Sequence, residues 1–417
     1  MNKSIWALIA VLLFLLVPAA CSNSSSDSGR DSGVDSSVQD DEAKDGGGDV
    51  DSDSDSDTDT DNDNDTDSDT DTDTDADVDA DSDADGDTDA DSDADADADA
   101  DASVDGGMIP GDWVTIPAGS FWMGSPDEDC PTDYPLHVPD AGCAKELGQS
   151  FNEDLHYVQL TNSFEIMNTE VTQAMFESVM EWNPSTKNCS HGCGDTNPVY
   201  YVSWYDSIAY ANELSLDNEL TPCYTLSNVE CEDATDAGAG YMNCMNEARG
   251  GIESAIVELN GVISVYDCTG YRLPTESEWE YAIRAGSNSA FYPSDGNDGG
   301  ITYTDCSLDP NLDQIGWYCG NNNVHCEPVG GKEANAWYLH DMSGNVWEWI
   351  WDWYDVYPAG DTSTPLVDPE GPASATPRVI RGGSWSIVAS SCRMADRNGS
   401  APGSRFGDVG LRLVRTK

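Results

Sequence analysis

Positive charge is what this 417-residue chain has least of: 17 Lys and Arg stand against 80 Asp and Glu, a formal net charge of −63. A chain so acidic repels polyanions, which excludes nucleic acid as a partner. Histidine is scarce too, five in all, at 137, 156, 191, 325 and 340. No Ser-His-Asp arrangement and no phosphate-cradling Gly-rich loop accompanies them. Beyond residue 20 there is no apolar run long enough to cross a bilayer.

The one apolar run, MNKSIWALIAVLLFLLVPAA (1–20), has a Lys near its start and a small-residue end. That is the pattern of an export signal, too short for a spanning helix. Cys21 follows Ala19-Ala20 directly, which resembles a bacterial lipobox with Pro18 where that pattern usually has Leu. The resemblance implies lipidation of Cys21, with an ordinary signal peptide and a chance cysteine as the alternative. The expected location is the bacterial cell envelope, lipid-anchored, at the outer membrane or cell surface, with the lipid as the membrane contact.

From Asp49 to Asp101 every odd position is Asp, 27 in all, with no basic residue between them. Period-two alternation without an apolar face cannot build a buried strand, and so acidic a run is expected to stay disordered and extended. Within it, Asp81-Ser82-Asp83-Ala84-Asp85-Gly86 copies the start of an EF-hand loop, but the twelfth position is Ser92 and no amphipathic helices flank it. Loose cation condensation is the better expectation. At about 3.3 Å per residue the run reaches at most roughly 175 Å, so 21–107 reads as a stalk.

The remainder, 108–417, has 45 acidic and 14 basic residues and 12 of the 13 cysteines, and its length alone allows two domains. An even cysteine count in an exported chain predicts up to six disulfides. Cys189-Ser-His-Gly-Cys193 has a spacing that can hold zinc, but no second ligand pair is apparent, so a disulfide is expected there as well. Three helices are predicted. QAMFESVM follows Thr172 as N-cap; a second starts at Ser203 with Asp206 capping; a third has a Thr275/Glu278 capping box, a Trp279, Ala282, Ile283 stripe and Gly286 at its end. WEWIWDWY places Trp347, Trp349, Trp351 and Trp353 at period two, a strand with one aromatic face.

IPAGSFWMGS (116–125), EVT (170–172), NPVYYVSWYDSIAYAN (197–212), GYRLPTESEWEYAIRAG (270–286), DMSGNVWEW (341–349), RGGSW (381–385) and GLRLVR (410–415) run in the order of one family's motifs. Through them the chain resembles the formylglycine-generating enzymes, or sulfatase-modifying factors. The resemblance makes 108–417 one domain and implies an α+β, elaborated C-type-lectin-like fold with little regular secondary structure, which the cysteine count makes disulfide-rich. It also implies a calcium ion held by the side chains of Asp341 and Glu348 and the carbonyls of Gly344 and Val346. Hard oxygen ligands around a Gly-containing turn suit that ion. Two disulfides typical of the family are replaced by apolar pairs, Ile283 with Met394 and Ala211 with Leu413. The related iron-dependent sulfoxide synthases need several histidines in a separate helical domain, which this chain lacks.

Family enzymes oxidise a sulfatase cysteine to formylglycine with oxygen and copper(I), held by two cysteines five positions apart just after the Gly-Gly-Ser turn. Soft Cu(I) requires both thiolates. Here the first position is Ile387 and the second, counted forwards, is Cys392; counted backwards from Arg397 and Pro402, Cys392 falls on a non-catalytic position. Cys392 and Ser384 are thus the catalytic candidates in an incomplete set, and copper is not expected. A disulfide to one of the other eleven cysteines is the expected state of Cys392. Two readings follow: a calcium-stabilised recognition domain for a protein, peptide or glycan, or an active formylglycine-generating oxidase. For the first, Arg393, Asp396, Arg397, Arg405 and Asp408 are the ligand-facing candidates, with internal salt bridges as the competing role of the three arginines.

Overall fold

Helix caps written into the sequence set the first elements. The computed structural model describes residues 111–139, 141–233, 240–292, 299–322 and 324–417; the export signal, Cys21 and the Asp run lie outside them. Helix α1 (Gln173–Met180) is capped by Thr172, whose side chain accepts from the Met175 N–H. Helix α2 (Trp204–Asp217) opens on a complete Ser203/Asp206 capping box, and α3 (Glu276–Arg284) on a Thr275/Glu278 box. In each box the hydroxyl and carboxylate satisfy N–H groups that the first turn leaves unpaired. Helix α3 ends one residue before the predicted glycine: Ala285 itself is left-handed (φ 44°), and Gly286 (φ 90°) follows.

Among the described residues the strands form four small sheets. β1 (Trp113–Ile116), β2 (Gly119–Met123), β3 (His156–Leu160) and β4 (Phe164–Met167) precede the helices; β5 (Tyr224–Cys231) and β6 (Ile252–Leu259) form an antiparallel pair after α2. β7 (Trp347–Trp353), β8 (Leu366–Val367), β9 (Arg378–Arg381), β10 (Arg397–Ser400), β11 (Val409–Gly410) and β12 (Val414–Thr416) follow α3. The sheet that matters for the site has the order β10-β9-β7-β11, with Glu348 opposite Arg381 and Asn398 opposite Ile380. β7 carries its tryptophans on one face as predicted, but Glu348, Ile350 and Asp352 on the other face are buried as well. It is therefore covered on both sides, and its polar residues need internal partners.

Two large apolar clusters fill the interior. One joins β3, β4 and α3 to Cys392 and Met394; the other joins α1 and α2 to Trp349 and Leu413. Ile283 and Met394 share the first cluster, and Ala211 and Leu413 share the second, all four buried. Five disulfides tie down the loops: 130–143, 189–193, 223–268, 231–244 and 306–319. The scarce positive charge is spent inside: Arg272, Arg284, Arg378, Arg381, Arg393, Arg397 and Arg412 are all buried. Most meet carboxylates there, such as Arg272 on both oxygens of Glu278 at 2.7 Å.

Candidate functional site

The Gly-Gly-Ser turn leaves β9 through two left-handed residues, Gly382 (φ 95°) and Gly383 (φ 79°). Glycine is required at the second for space as well as conformation, because a Cβ there would lie 2.5 Å from the Cys392 sulfur. The turn is bonded to the DMSGNVWEW loop, with the Gly344 N–H donating to Gly382 O (2.7 Å) and the Trp385 N–H to Asn345 O (2.8 Å). Beyond the turn, Ser384 and Ser386 both donate to the Asp408 carboxylate at 2.9 Å. His191 lies beside them, its ring 5.7 Å from Trp385 and 5.8 Å from Tyr201.

Cys392 closes a short 3-10 turn (Ala389–Cys392) and is wholly buried. Its sulfur reaches the Val388 carbonyl, at 3.9 Å, and the Ser384 backbone, and burial pushes the thiol pKa up. The disulfide expected of it is not formed: Cys326 and Cys392 are free and lie in separate apolar clusters, Cys326 among Tyr200, Val346 and Trp385. An even count could not reveal this, because two thiols that pack as small apolar groups leave it even. Ile387 occupies the first position of the family's cysteine pair as a half-buried side chain packed against both large clusters. Cys189 and Cys193 are bonded to each other, as expected.

The three candidate arginines turn inward. Arg393 donates to both oxygens of Glu153 (2.8 and 2.7 Å) and to Glu146 (2.6 Å). Arg397 grips Glu276 at 2.8 and 2.6 Å, and Arg405 meets Asp206 at 2.9 Å. The competing role, internal salt bridges, is one that all three fill, and Arg397 and Arg405 line cavities as well. Asp396 is half-buried beside Arg393 (3.6 Å), its carboxyl pushed up to about 7 by burial despite Arg393. Of the five candidates, Asp408 alone joins Ser384 at the turn.

The residues implied in calcium binding are less uniform. Asp341 is left-handed (φ 56°) and buried; its Oδ2 accepts from the Gly330 N–H, while Oδ1 has no partner. Glu348 is saturated, accepting from Trp279 Nε1 at 2.7 Å and from Arg412 Nη2 at 2.9 Å and Nε at 3.0 Å. Glu170, from the EVT motif, is the residue that sequence reasoning missed: it is fully buried and neither carboxylate oxygen has a hydrogen-bond partner. Arg412 stands 4.0 Å away, and burial, then the charge of Asp341, pushes the Glu170 carboxyl up. Only its place in a recurring motif could have flagged it. The orphaned oxygens of Asp341 and Glu170 are the ones free to meet a cation, with backbone oxygens needed to complete its shell because no three acidic, His or Cys side chains converge as ligands among the described residues; at Glu348 it would compete with Arg412.

Residues 104–417 match the sulfatase-modifying factor enzyme 1-like domain. The chain belongs to this family. Within it, the chain is 31% identical over 278 residues to the chaperone protein LppX of Paenibacillus barcinonensis, covering 61% of this chain and 81% of LppX. It is 33% identical over 172 residues to the formylglycine-generating enzyme of Thermomonospora curvata, covering 38% of this chain and 54% of that enzyme. The likeness to that enzyme thus spans about half its length. Among solved structures, Treponema denticola variable protein 1 superposes with a TM-score of 0.53 at 30% identity, over 73% of this chain and 95% of that one. The sulfatase-modifying factor fold, with its mixed α/β content and disulfides, is what these similarities establish.

Proposed function

We propose that this family member is a recognition module of the bacterial cell envelope, exported and held to the membrane by lipid on Cys21. The observation that carries this reading is the pairing of Ile387 with a wholly buried Cys392 where the oxidase needs two thiolates. An isoleucine cannot ligate copper(I), and a single desolvated thiol supplies neither the charge nor the geometry. The surface beside it offers Ser386 and Asp408, with the buried Ser384 beneath them, next to His191 and Tyr201, polar and aromatic groups of the kind that bind a peptide or glycan. The similarity to a protein named as a chaperone agrees with a protein or peptide ligand. Calcium is proposed to stabilise the DMSGNVWEW loop through Asp341 and the carbonyls of Gly344 and Val346.

The competing reading, an active oxidase, rests on the similarity to formylglycine-generating enzymes. Thiol counting with copper(I) titration separates the two. The recognition reading expects no thiol of residues 108–417 to react in the native protein, two to react after denaturation, and no stoichiometric copper. Stoichiometric copper(I) with oxygen uptake on a cysteine-bearing sulfatase peptide would overturn it.

A further inference from the structure

A cavity of about 450 Å³ opens on the other face of β7, between the segment 353–358 and the segment 369–372. It shares no residue with the Gly-Gly-Ser turn, so what it does is separate from the recognition reading above. Its walls are largely apolar, with Met123, Trp353, Tyr357 and Leu366 among them. That size and lining suit a small organic molecule. The charge in its floor and rim decides which kind.

Arg397 is the single lysine or arginine among the lining residues, and its charge is already matched by the two-point contact with Glu276. His156 adds no positive charge, since burial lowers its pKa. Three further lining carboxylates, Asp352, Asp355 and Glu370, stand in no ion pair among the described residues. Asp352 is the most confined of them, 4% exposed, with one oxygen accepting from the Glu276 N–H at 2.9 Å. That bond places it at the N-terminus of α3, but burial and then the charge of Glu276 push its carboxyl well up, so its ionised form lacks a close cationic partner. The other nearby guanidinium, Arg378, is held 3.8 Å over the Trp204 ring and 3.6 Å over the Trp353 ring, and makes no salt bridge to Asp352.

An apolar chamber with surplus carboxylate repels anions, and it gains more from a cation than from a neutral donor, which brings a hydrogen bond but no countercharge. A bare metal ion does not fit either, because among the described residues no three His, Cys, Asp or Glu side chains converge as ligands. From the cavity and its unbalanced carboxylates we infer that this is a binding site for a small organic cation, an ammonium or guanidinium group on an aliphatic or aromatic body. Asp352 is the anchoring carboxylate and Glu370 a rim contact.

Isothermal titration of the full chain with n-hexylammonium tests this, with hexanol and hexanoate as the neutral and anionic counterparts. Saturable binding of the ammonium is expected, at least tenfold tighter than either counterpart. Asp352→Asn keeps an oxygen for the Glu276 N–H and removes the charge; it should weaken binding about tenfold or more, the usual worth of one hydrogen bond to a charged group. Glu370→Gln, on the half-buried rim, should weaken it a few-fold and serves if the first variant melts abnormally. Running N-acetyl-lysine N-methylamide in parallel distinguishes a free amine from a peptide side chain, and tight binding of either supports the site. Absence of saturable binding at millimolar ammonium, equal binding of hexanol, or unchanged affinity in a folded Asp352→Asn protein would overturn the assignment.

Discussion

At the scale of the residue, the buried carboxylates Glu170, Asp341 and Glu348 share one guanidinium, that of Arg412. Buried charge without a counterion is costly, so either Glu170 and Asp341 hold protons, the direction in which burial pushes both, or a bound ion supplies the missing charge. If calcium is that ion, saturating it a hundredfold above its dissociation constant adds about 2.7 kcal/mol to the folded state. For a domain of this size that corresponds to a rise in Tm of roughly 5 °C. Scanning calorimetry with and without EGTA should show that difference in the native protein and its loss in Asp341→Asn. An identical melt in chelator would sink the calcium assignment and leave Arg412 as the acids' entire compensation. Glu348 was expected to be a ligand, yet Arg412 and Trp279 occupy both its oxygens. Nothing in a sequence window around 348 could have announced a partner 64 residues away.

At the scale of the element, what was legible was what is local. Caps at Thr172, Ser203 and Thr275 depend on three or four consecutive residues, and all three formed as read. Replacing Thr275 by Ala removes the hydroxyl that accepts from the Glu278 N–H, and it sits within reach of Tyr266 and Ser277 as well. The cost should be about 1–2 kcal/mol, the upper range for a cap, measured as a lower urea midpoint at constant slope. A loss below about 0.3 kcal/mol would mean that neighbouring hydroxyls take over the cap. The order of the motifs also made the family legible. Less legible were the facts that depend on packing: that β7 is covered on both faces, that Cys392 is a core residue, and that the arginines after it point inward. Each is set by contacts across 100 or more residues, as in Arg393 with Glu153. Polar residues on a strand read as solvent-facing until the second layer over them is known.

At the scale of the molecule, the excess of acid determines how stability should vary with pH. Burial raises the Asp396 carboxyl to about 7, and burial likewise raises that of Glu146, although Arg393 opposes both shifts. An unfolded Asp titrates near 3.9. Between about pH 4 and 7 the folded chain therefore holds a proton at Asp396 that the unfolded chain does not, and the Asp396 contribution to stability falls as pH rises through that window. Glu280 behaves in the opposite sense: burial disfavours its charge, but Arg284 and Arg381 outweigh burial and lower its pKa. Its contribution is lost only below the unfolded value near 4.3, so it does not offset Asp396 above pH 5. Moving from pH 7.5 to 5.5 should thus raise the unfolding free energy by about 2 kcal/mol from Asp396 alone. Urea titrations at the two pH values read this directly, and Asp396→Asn should abolish most of the difference. Burial lowers the His156 pKa, which costs stability as the unfolded imidazole gains its proton towards pH 5.5, so the deciding quantity is the pH difference of the native protein minus that of Asp396→Asn. An equal pH difference in the two proteins would show that Arg393 holds Asp396 ionised.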